Sequence, residues 1–180
     1  MKTKNFDLKK GEIALIVVSA DKYLSTSMEI LKHYCNDRKA SCVYVTVNRS
    51  YDTLIKIFKE KKIDSDKVFV IDAISPVGAK RKEEENAIFI GSPKGLTDIS
   101  ISATSAIKNI SNGERLLYFD SLSTLLIYND VGSVTQFAHF LINKMKEWDI
   151  SMAIITLEKE TDDKLLSQMK QFVDKVIEVK

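Results

Sequence analysis

Side chains that could carry chemistry gather where apolar runs of this sequence end. Asp120 and Ser121 follow the run Leu116–Phe119, and Thr26 stands shortly after the run Ile13–Val18. In an open α/β sheet, ligands bind beyond the carboxyl ends of the strands. Carboxylate and hydroxyl oxygens suit Mg²⁺, although this ion usually relies on substrate phosphates to complete its shell. These positions are therefore the first candidates for a site.

The full candidate set lies in the segments that follow three predicted strands. It comprises Asp21, Lys22, Thr26, Asn48, Arg49, Asp120 and Ser121. Some of these residues also have a purely structural interpretation, which we favour. Asp120 is expected to cap the following helix or to accept hydrogen bonds from loop N–H groups. Ser25 and Thr26 are expected to cap the helix that begins there.

The histidines and cysteines predict neither a metal centre nor a nucleophile. His33 and His139 lie on separate predicted helices, without a cysteine or carboxylate at ligand spacing. Cys35 and Cys42 are interpreted as two buried thiols in a reduced compartment, with a disulfide as the alternative. We therefore expect no metal, no cofactor and a cytoplasmic location.

The composition excludes several classes of protein. The chain has 180 residues, with 27 Lys and Arg against 25 Asp and Glu and a formal net charge of +2. This balance argues against nucleic-acid or membrane-surface binding as the main role. The longest apolar run, Ile13–Val18, is far shorter than the ~20 residues that span a bilayer, and segment 1–10 lacks the apolar stretch of a signal peptide. The charge run Lys80–Glu85 is expected to be solvated, with an electrostatic docking patch as the alternative.

Apolar runs alternate with helical periodicities along the chain. The predicted strands are Ile13–Val18, Cys42–Val47, Val68–Ile71, Arg115–Asp120, Met152–Thr156 and Val173–Val179. The predicted helices are Ser25–Asn36, Ser50–Lys62, Thr97–Ile110, Ser133–Trp148 and Asp162–Phe172. This alternation indicates a mainly parallel sheet covered on both faces, a three-layer α/β/α sandwich that forms one domain over residues 1–180. Segment Ser75–Gly95 is predicted to be a long exposed loop with a short strand at Ala87–Ile90.

The sequence also resembles the RecA-like P-loop ATPases, and in particular their KaiC-like branch. The strand Leu116–Asp120, followed by Ser121-Leu122-Ser123, is similar to the Walker B strand of that branch. The fragments Gly11-Glu12, Tyr44–Val47 and Phe172–Ile177 are similar to its framework and occur in the same order. The resemblance covers almost the whole chain.

The resemblance implies a particular order of strands. Strand Met152–Thr156 would lie between the first strand and the strand that ends at Asp120. Strands Cys42–Val47 and Val68–Ile71 would lie toward one edge of the sheet, and Val173–Val179 toward the other.

The sequence departs from this family at the phosphate-binding loop. The window Ser19–Thr26 should read G-x-x-x-x-G-K-[ST]. Only Thr26 matches, while Ser25 replaces the lysine, Leu24 replaces a glycine and the nearby Lys22 comes too early. We therefore expect a direct connection from strand to helix, with Leu24 or Tyr23 covering the place of a β-phosphate.

A second departure concerns the activation of water. In the KaiC-like branch a glutamate just after the second strand activates the attacking water. Asn48, followed by Arg49, stands in that place. A neutral amide cannot accept the proton, so both departures argue against ATP hydrolysis.

The resemblance and its departures together indicate a degenerate, archaeal-type member of the superfamily. The leading hypothesis is a non-catalytic module for protein interaction or regulation, in signal transduction as the resemblance suggests, with protein partners and a possible homo-oligomer. A vestigial nucleotide and Mg²⁺ site would comprise Thr26, Asp120, Lys22, Asn48 and Arg49. The alternative is a nucleotide- or small-ligand-binding α/β domain that keeps a site at the strand ends.

Overall fold

A parallel sheet forms the middle layer of the molecule. The computed structural model describes residues 6–76, 85–110 and 113–180. Within them the strands are β1 (Ile13–Val18), β2 (Ser41–Thr46), β3 (Val68–Asp72), β4 (Ala87–Phe89), β5 (Arg115–Asp120), β6 (Ser151–Leu157) and β7 (Lys175–Val179). They form one sheet in the order β4-β3-β2-β5-β6-β1-β7, and every neighbouring pair is parallel. The predicted parallel sheet and the implied strand order are confirmed.

Helices cover both faces of the sheet. They are α1 (Tyr23–Lys32), α2 (Tyr51–Lys61), α3 (Leu96–Asn109), α4 (Leu122–Leu125), α5 (Val131–Glu147) and α6 (Asp163–Phe172). A π-helical turn, His33–Asp37, extends α1, and a short 3₁₀ turn, Ser65–Lys67, precedes β3. Helices α1 and α2 pack on one face, and α3, α5 and α6 pack on the other. The three-layer α/β/α sandwich is therefore confirmed.

The two apolar cores explain why the strands read as unbroken apolar runs. All six residues of β1 are buried. Leu15 and Val17 belong to the core under α3, α5 and α6, whereas Ala14 and Ile16 belong to the core under α1 and α2. Successive side chains of a strand point to opposite faces, so a strand covered on both faces needs apolar residues at every position.

Helix α1 begins earlier than the sequence predicted. Its first residue is Tyr23 rather than Ser25, because the backbone N–H of Lys22 donates to the carbonyl of Ser19 at 3.1 Å and closes a tight turn directly after β1. This direct connection from strand to helix is the one expected from a segment without glycine.

Outside residues 77–84, the segment Ser75–Gly95 is less exposed than predicted. Ser75 and Pro93 are buried, and β4 extends the sheet by pairing with β3. Residues 77–84, which include most of the charge run Lys80–Glu85, lie outside the described residues, and Glu85 itself is exposed.

Candidate functional site

Asp120 ends β5 with its carboxyl group fully buried. Its Oδ2 accepts a hydrogen bond from the hydroxyl of Tyr44, while its Oδ1 has no hydrogen-bond partner among the described residues. Burial in this environment raises the pKa of Asp120 to about 8. A carboxyl group without a cation beside it favours its neutral form when it is removed from water. Burial therefore shifts the protonation equilibrium of Asp120 toward the uncharged acid.

The predicted capping role of Asp120 is wrong. Ser121, not Asp120, accepts a hydrogen bond from the N–H of Thr124 at 3.4 Å and caps α4. The peptide bond between Asp120 and Ser121 is cis. The side chain of Asp120 points instead toward the face of the sheet that α1 and α2 cover.

A row of polar groups links Asp120 to α1 through the core. Tyr44 of β2 lies opposite Tyr118 of β5, and their rings stack with centroids 5.1 Å apart. The hydroxyl of Tyr118 donates to Oγ of Ser27 on α1 at 2.9 Å. Burial raises the pKa of both phenols. The row therefore consists of uncharged groups that connect β5, β2 and α1.

Tyr23 brings together the end of β1 and the end of β2. Its buried side chain accepts a hydrogen bond at the hydroxyl from the amide of Asn48, with N···O 3.0 Å. The guanidinium carbon of Arg49 lies 5.1 Å from the centroid of the Tyr23 ring, within the range of a cation–π contact. The first residue of α1 thus fills the space in front of the β2–α2 turn.

The β2–α2 turn is held by two buried side chains that the sequence analysis did not single out. The hydroxyl of Thr46 accepts from the N–H of Arg49 at 3.0 Å and donates to the carbonyl of Arg49 at 2.7 Å. The carboxylate of Asp72, at the end of β3, accepts from the N–H of Tyr51 at 2.8 Å and from Ser75 Oγ at 2.6 Å. These contacts fix where Asn48 and Arg49 stand.

The other residues predicted for the nucleotide site lie apart from Asp120. Lys22 and Thr26 line a cavity of about 340 Å³ together with Ser25, Glu29 and Lys180. Within the described residues, no hydrogen bond or ion pair joins Lys22 or Thr26 to Asp120. The structure therefore places Lys22 and Thr26 in a cavity without a hydrogen bond or ion pair to Asp120, while Asn48 and Arg49 contact Tyr23 and the carboxyl group of Asp120 contacts Tyr44.

The predicted capping of α1 by Ser25 and Thr26 is also wrong. Lys22 is the N-cap residue, and no side chain caps this helix. Ser25 donates its hydroxyl to the carbonyl of Lys22 at 3.0 Å instead of accepting from an N–H group. Both residues lie inside the helix, because the turn after β1 is short and α1 begins at Tyr23, two residues before the predicted start at Ser25.

A second cavity lies at the carboxyl ends of β1 and β6. It measures about 360 Å³ and is lined by Ser19, Ala20, Asp21, Leu157, Glu158, Lys159 and Glu160. Ser19 donates its hydroxyl to Asp21 at 2.6 Å, which is the largest cause of the lowered pKa of that carboxyl. Three carboxylates against one lysine make this cavity unfavourable for phosphate.

The remaining reactive residues form no centre in the part of the chain that the structure covers. Cys35 and Cys42 are free and buried, as predicted, and burial raises the pKa of the Cys42 thiol. His33 contacts Asp7 and Asp37, and His139 packs on the ring of Phe172. Over residues 6–76, 85–110 and 113–180, no group of three or more His, Cys, Asp or Glu side chains is arranged for a metal ion. None of the helices in the same ranges has both the length and the apolar character needed to cross a bilayer.

One signal in the sequence could have located the buried polar row. Alternate residues of a strand face the same side of the sheet. Tyr118 and Asp120 are two residues apart on β5, and Tyr44 and Thr46 are two residues apart on β2. This spacing puts the two residues of each pair on one face of their own strand, and the register that pairs Tyr44 with Tyr118 puts all four on the same face of the sheet. The bond between Tyr44 and Asp120 further requires the register of the two strands.

Solved structures of archaeal proteins share this fold. The KaiC-like protein PH0186 from Pyrococcus horikoshii OT3 matches with a TM-score of 0.71 and 11% identity, over 96% of this chain and 75% of that protein. The flagellar accessory protein FlaH from Methanocaldococcus jannaschii matches with a TM-score of 0.64 and 14% identity, over 97% of this chain and 74% of that protein. The uncharacterized protein PH0321 from Pyrococcus horikoshii, solved in complex with an unknown peptide, matches with a TM-score of 0.69 and 11% identity, over 97% and 79%. The KaiC-like, RecA-like fold is therefore confirmed.

Sequence comparison assigns the family. No curated protein is similar enough in sequence to match this chain. The sequence model of one family matches residues 14–179, nearly the whole chain. The chain belongs to that family, described as "Family of unknown function (DUF7504)".

Proposed function

We propose that this chain is a non-catalytic KaiC-like domain that acts as a module for protein interaction or regulation in signal transduction. The observation that carries the proposal is the Tyr23–Asn48–Arg49 cluster. An aromatic side chain fills the space between the ends of β1 and β2, and the residues on either side of it are engaged in holding it there. A domain that bound a triphosphate in this space would need it open.

The β1–α1 connection supports the same proposal. A phosphate-binding loop uses glycines and a lysine to surround the phosphates with backbone N–H groups and positive charge. Here the connection Ser19–Lys22 is a tight turn without glycine, and Asp21 adds a negative charge. Ser25, in place of the lysine, is hydrogen-bonded to its own helix.

The environment of Asp120 also favours a non-catalytic role. Phosphoryl transfer depends on electrostatic stabilisation of the transferred group, so an acidic residue that holds Mg²⁺ has to be ionised. Asp120 is buried beside the hydroxyl of Tyr44, and its pKa is raised to about 8. A carboxyl group that favours its neutral form binds a divalent cation less readily, because the cation first has to displace the proton.

A protein partner is the class of ligand that we propose. Of the structurally similar proteins, PH0321 was solved in complex with an unknown peptide. That observation belongs to PH0321, but it supports peptide or protein recognition by a domain of this shape. A second copy of this chain is included among the proposed partners, because RecA-like domains commonly assemble side by side.

Thermal melting with nucleotides tests the proposal. We expect the same melting temperature with and without Mg·ATP or Mg·GTP, since a ligand at 100 times its dissociation constant would add about 2.7 kcal/mol to stability. The matched variant is Tyr23→Ala, which removes the ring from the strand ends. A nucleotide-induced shift in the unmodified chain would show that the strand ends still bind a nucleotide and would favour the ligand-binding alternative.

The alternative function is a small-ligand-binding domain, and one observation favours it. The cavity of about 360 Å³ lies at the carboxyl ends of β1 and β6, and α/β proteins bind ligands beyond the carboxyl ends of their strands. Its carboxylates Asp21, Glu158 and Glu160 would suit a cationic ligand better than a nucleotide. Melting with a cationic probe such as spermidine, compared with the variant Glu158→Gln, separates this alternative from the leading proposal.

A further inference from the structure

A third cavity lies at the amino ends of the strands, whereas Asp120 and Tyr23 lie at or just after carboxyl ends. It measures about 340 Å³ and is lined by Lys10, Arg38, Gly113, Glu114, Arg115, Asp149, Ile150 and Ser151. Arg115 is the first residue of β5, and Ser151 is the first residue of β6. The cavity therefore opens at the amino ends of two central strands.

The carboxylates of this cavity are already paired. Glu114 accepts from Nε of Arg38 at 2.9 Å and forms a second contact with Nη2 of the same guanidinium. Asp149 lies 2.5 Å from the amino group of Lys10. Both negative charges of the lining are thus balanced by cations from the same lining.

Arg115 is the cation that remains. No carboxylate of the described residues lies within ion-pair distance of its guanidinium. Its Nη1 reaches only the carbonyls of Ile110 and Ile107, at 3.4 and 3.5 Å, at the long limit for a hydrogen bond. The residue is half-buried, so its charge is less screened by water than that of a fully exposed arginine.

The backbone beside Arg115 leaves the cavity open. Gly113 has a φ of +88°, and no atom lies within 4 Å of the position that a Cβ would take there. The cavity is therefore open beside Gly113, the glycine of its lining. A cavity of this volume falls in the range of about 300–1,000 Å³ that is typical of small-molecule sites.

We propose that this cavity binds a small oxyanion, a carboxylate or a phosphate group, through the guanidinium of Arg115. The planar guanidinium offers paired N–H donors that match a carboxylate or phosphate in a bidentate arrangement. Lys10 is paired with Asp149, and Arg38 is paired with both Glu114 and Asp7, so Arg115 is the cation of the lining whose charge a bound anion would neutralise. The site is separate from the strand ends discussed above, so it stands or falls independently of the proposed function.

Calorimetric titration with inorganic phosphate and with succinate tests the proposal. The ionic strength is held constant with sodium chloride, so that general screening is the same in every titration. We expect binding of at least one of the two probes to the unmodified chain and a loss of affinity of tenfold or more in Arg115→Gln. The phosphate and succinate arms distinguish the two sources of the oxyanion.

Two further variants complete the test. Arg115→Lys keeps the charge but not the paired donors, so we expect an intermediate affinity, and this variant decides the matter if Arg115→Gln does not fold. Lys56→Gln, on the exposed side of α2, removes a positive charge far from the cavity and should bind like the unmodified chain. Absence of binding by both probes, or equal binding by the unmodified chain and the Arg115 variants, would overturn the proposal.

Discussion

Asp120 illustrates how the surroundings of one side chain decide its chemistry. The residue type and its position after an apolar strand suit a cation ligand. Full burial, with no hydrogen-bond partner among the described residues for Oδ1, instead favours a neutral acid, against the opposing effect of the Tyr44 hydroxyl that donates to Oδ2. The same carboxyl group would be ionised at the surface.

The raised pKa of Asp120 predicts a dependence of stability on pH. The pKa is 3.8 in the absence of perturbation and about 8 in the folded chain. Between these values the folded state holds a proton that the unfolded state has lost, so this contribution to stability falls as pH rises from about 4 to about 8. The slope from one group is at most about 1.4 kcal/mol per pH unit.

Asp120→Asn removes this titration while keeping the shape of the side chain. We expect the urea midpoint of the unmodified chain to fall, relative to that of Asp120→Asn, as pH is raised across this window. Urea unfolding at several pH values measures it. Parallel profiles for the two proteins would show that Asp120 is ionised in the folded state.

Helix ends and strand ends are the elements that position the site. Helix α1 starts directly after a tight turn, which places Tyr23 against the β2–α2 turn. Helix α6 has a different kind of start, in which the carboxylate of Asp162 accepts from the N–H groups of Lys164 and Leu165 at 2.9 and 3.1 Å. The first arrangement depends on tertiary contact, and the second is local.

The contact between α1 and the β2–α2 turn predicts an energetic coupling. Tyr23→Phe removes the hydroxyl that accepts from Asn48, and Asn48→Ala removes the donor. We expect each single variant to lose about 0.5–1.5 kcal/mol of unfolding free energy and the double variant to lose less than their sum. A double-mutant cycle by urea unfolding measures the coupling. Strict additivity would mean that the hydrogen bond contributes nothing.

The local cap of α6 predicts a smaller and simpler effect. Asp162→Ala removes the side-chain acceptor at the N-cap, and we expect a loss of about 1 kcal/mol in the free energy of unfolding. Asp162→Asn keeps an acceptor oxygen and serves as the control, with a smaller loss. Equal stability of all three proteins would contradict the capping role.

The whole molecule combines a KaiC-like sheet with strand carboxyl ends at which side chains of the chain itself occupy the space. Tyr23 covers the carboxyl ends of β1 and β2, and the acidic cavity lies at the carboxyl ends of β1 and β6. At the amino ends of β5 and β6, the basic and acidic side chains that line the cavity form ion pairs with each other, and Arg115 is the exception.

We expect no Mg²⁺-dependent ATPase activity above background from the purified chain. If Leu24, Ser25 and Asn48 stand where the resemblance places them, the groups for backbone phosphate binding, neutralisation of charge and activation of water are all replaced, and electrostatic positioning supplies most of the catalysis of phosphoryl transfer. A coupled assay for ADP release measures the rate, with Asp120→Ala as the matched variant. A turnover that Asp120→Ala abolishes would reverse the interpretation and support the ligand-binding alternative.

The sheet and its layers could be predicted from the amino-acid sequence, because the signals are local. Unbroken apolar runs such as Ile13–Val18 and the helical periodicity of Ser133–Trp148 each arise from neighbouring residues. Their alternation leaves few ways to bury every apolar face. That the segment Ser19–Thr26 contains no glycine is likewise evident from the sequence.

Which side chains contact one another in the candidate site was decided by the tertiary structure. Tyr44 and Asp120 are 76 residues apart, and Tyr23 and Asn48 are 25 apart, so neither contact leaves a local pattern. Whether Asp120 is charged depends on how much water and which groups surround it, and only the packed sheet determines both. For the same reason Arg115, an ordinary residue at the start of a strand, became a candidate only when the cations and carboxylates around it were placed in space.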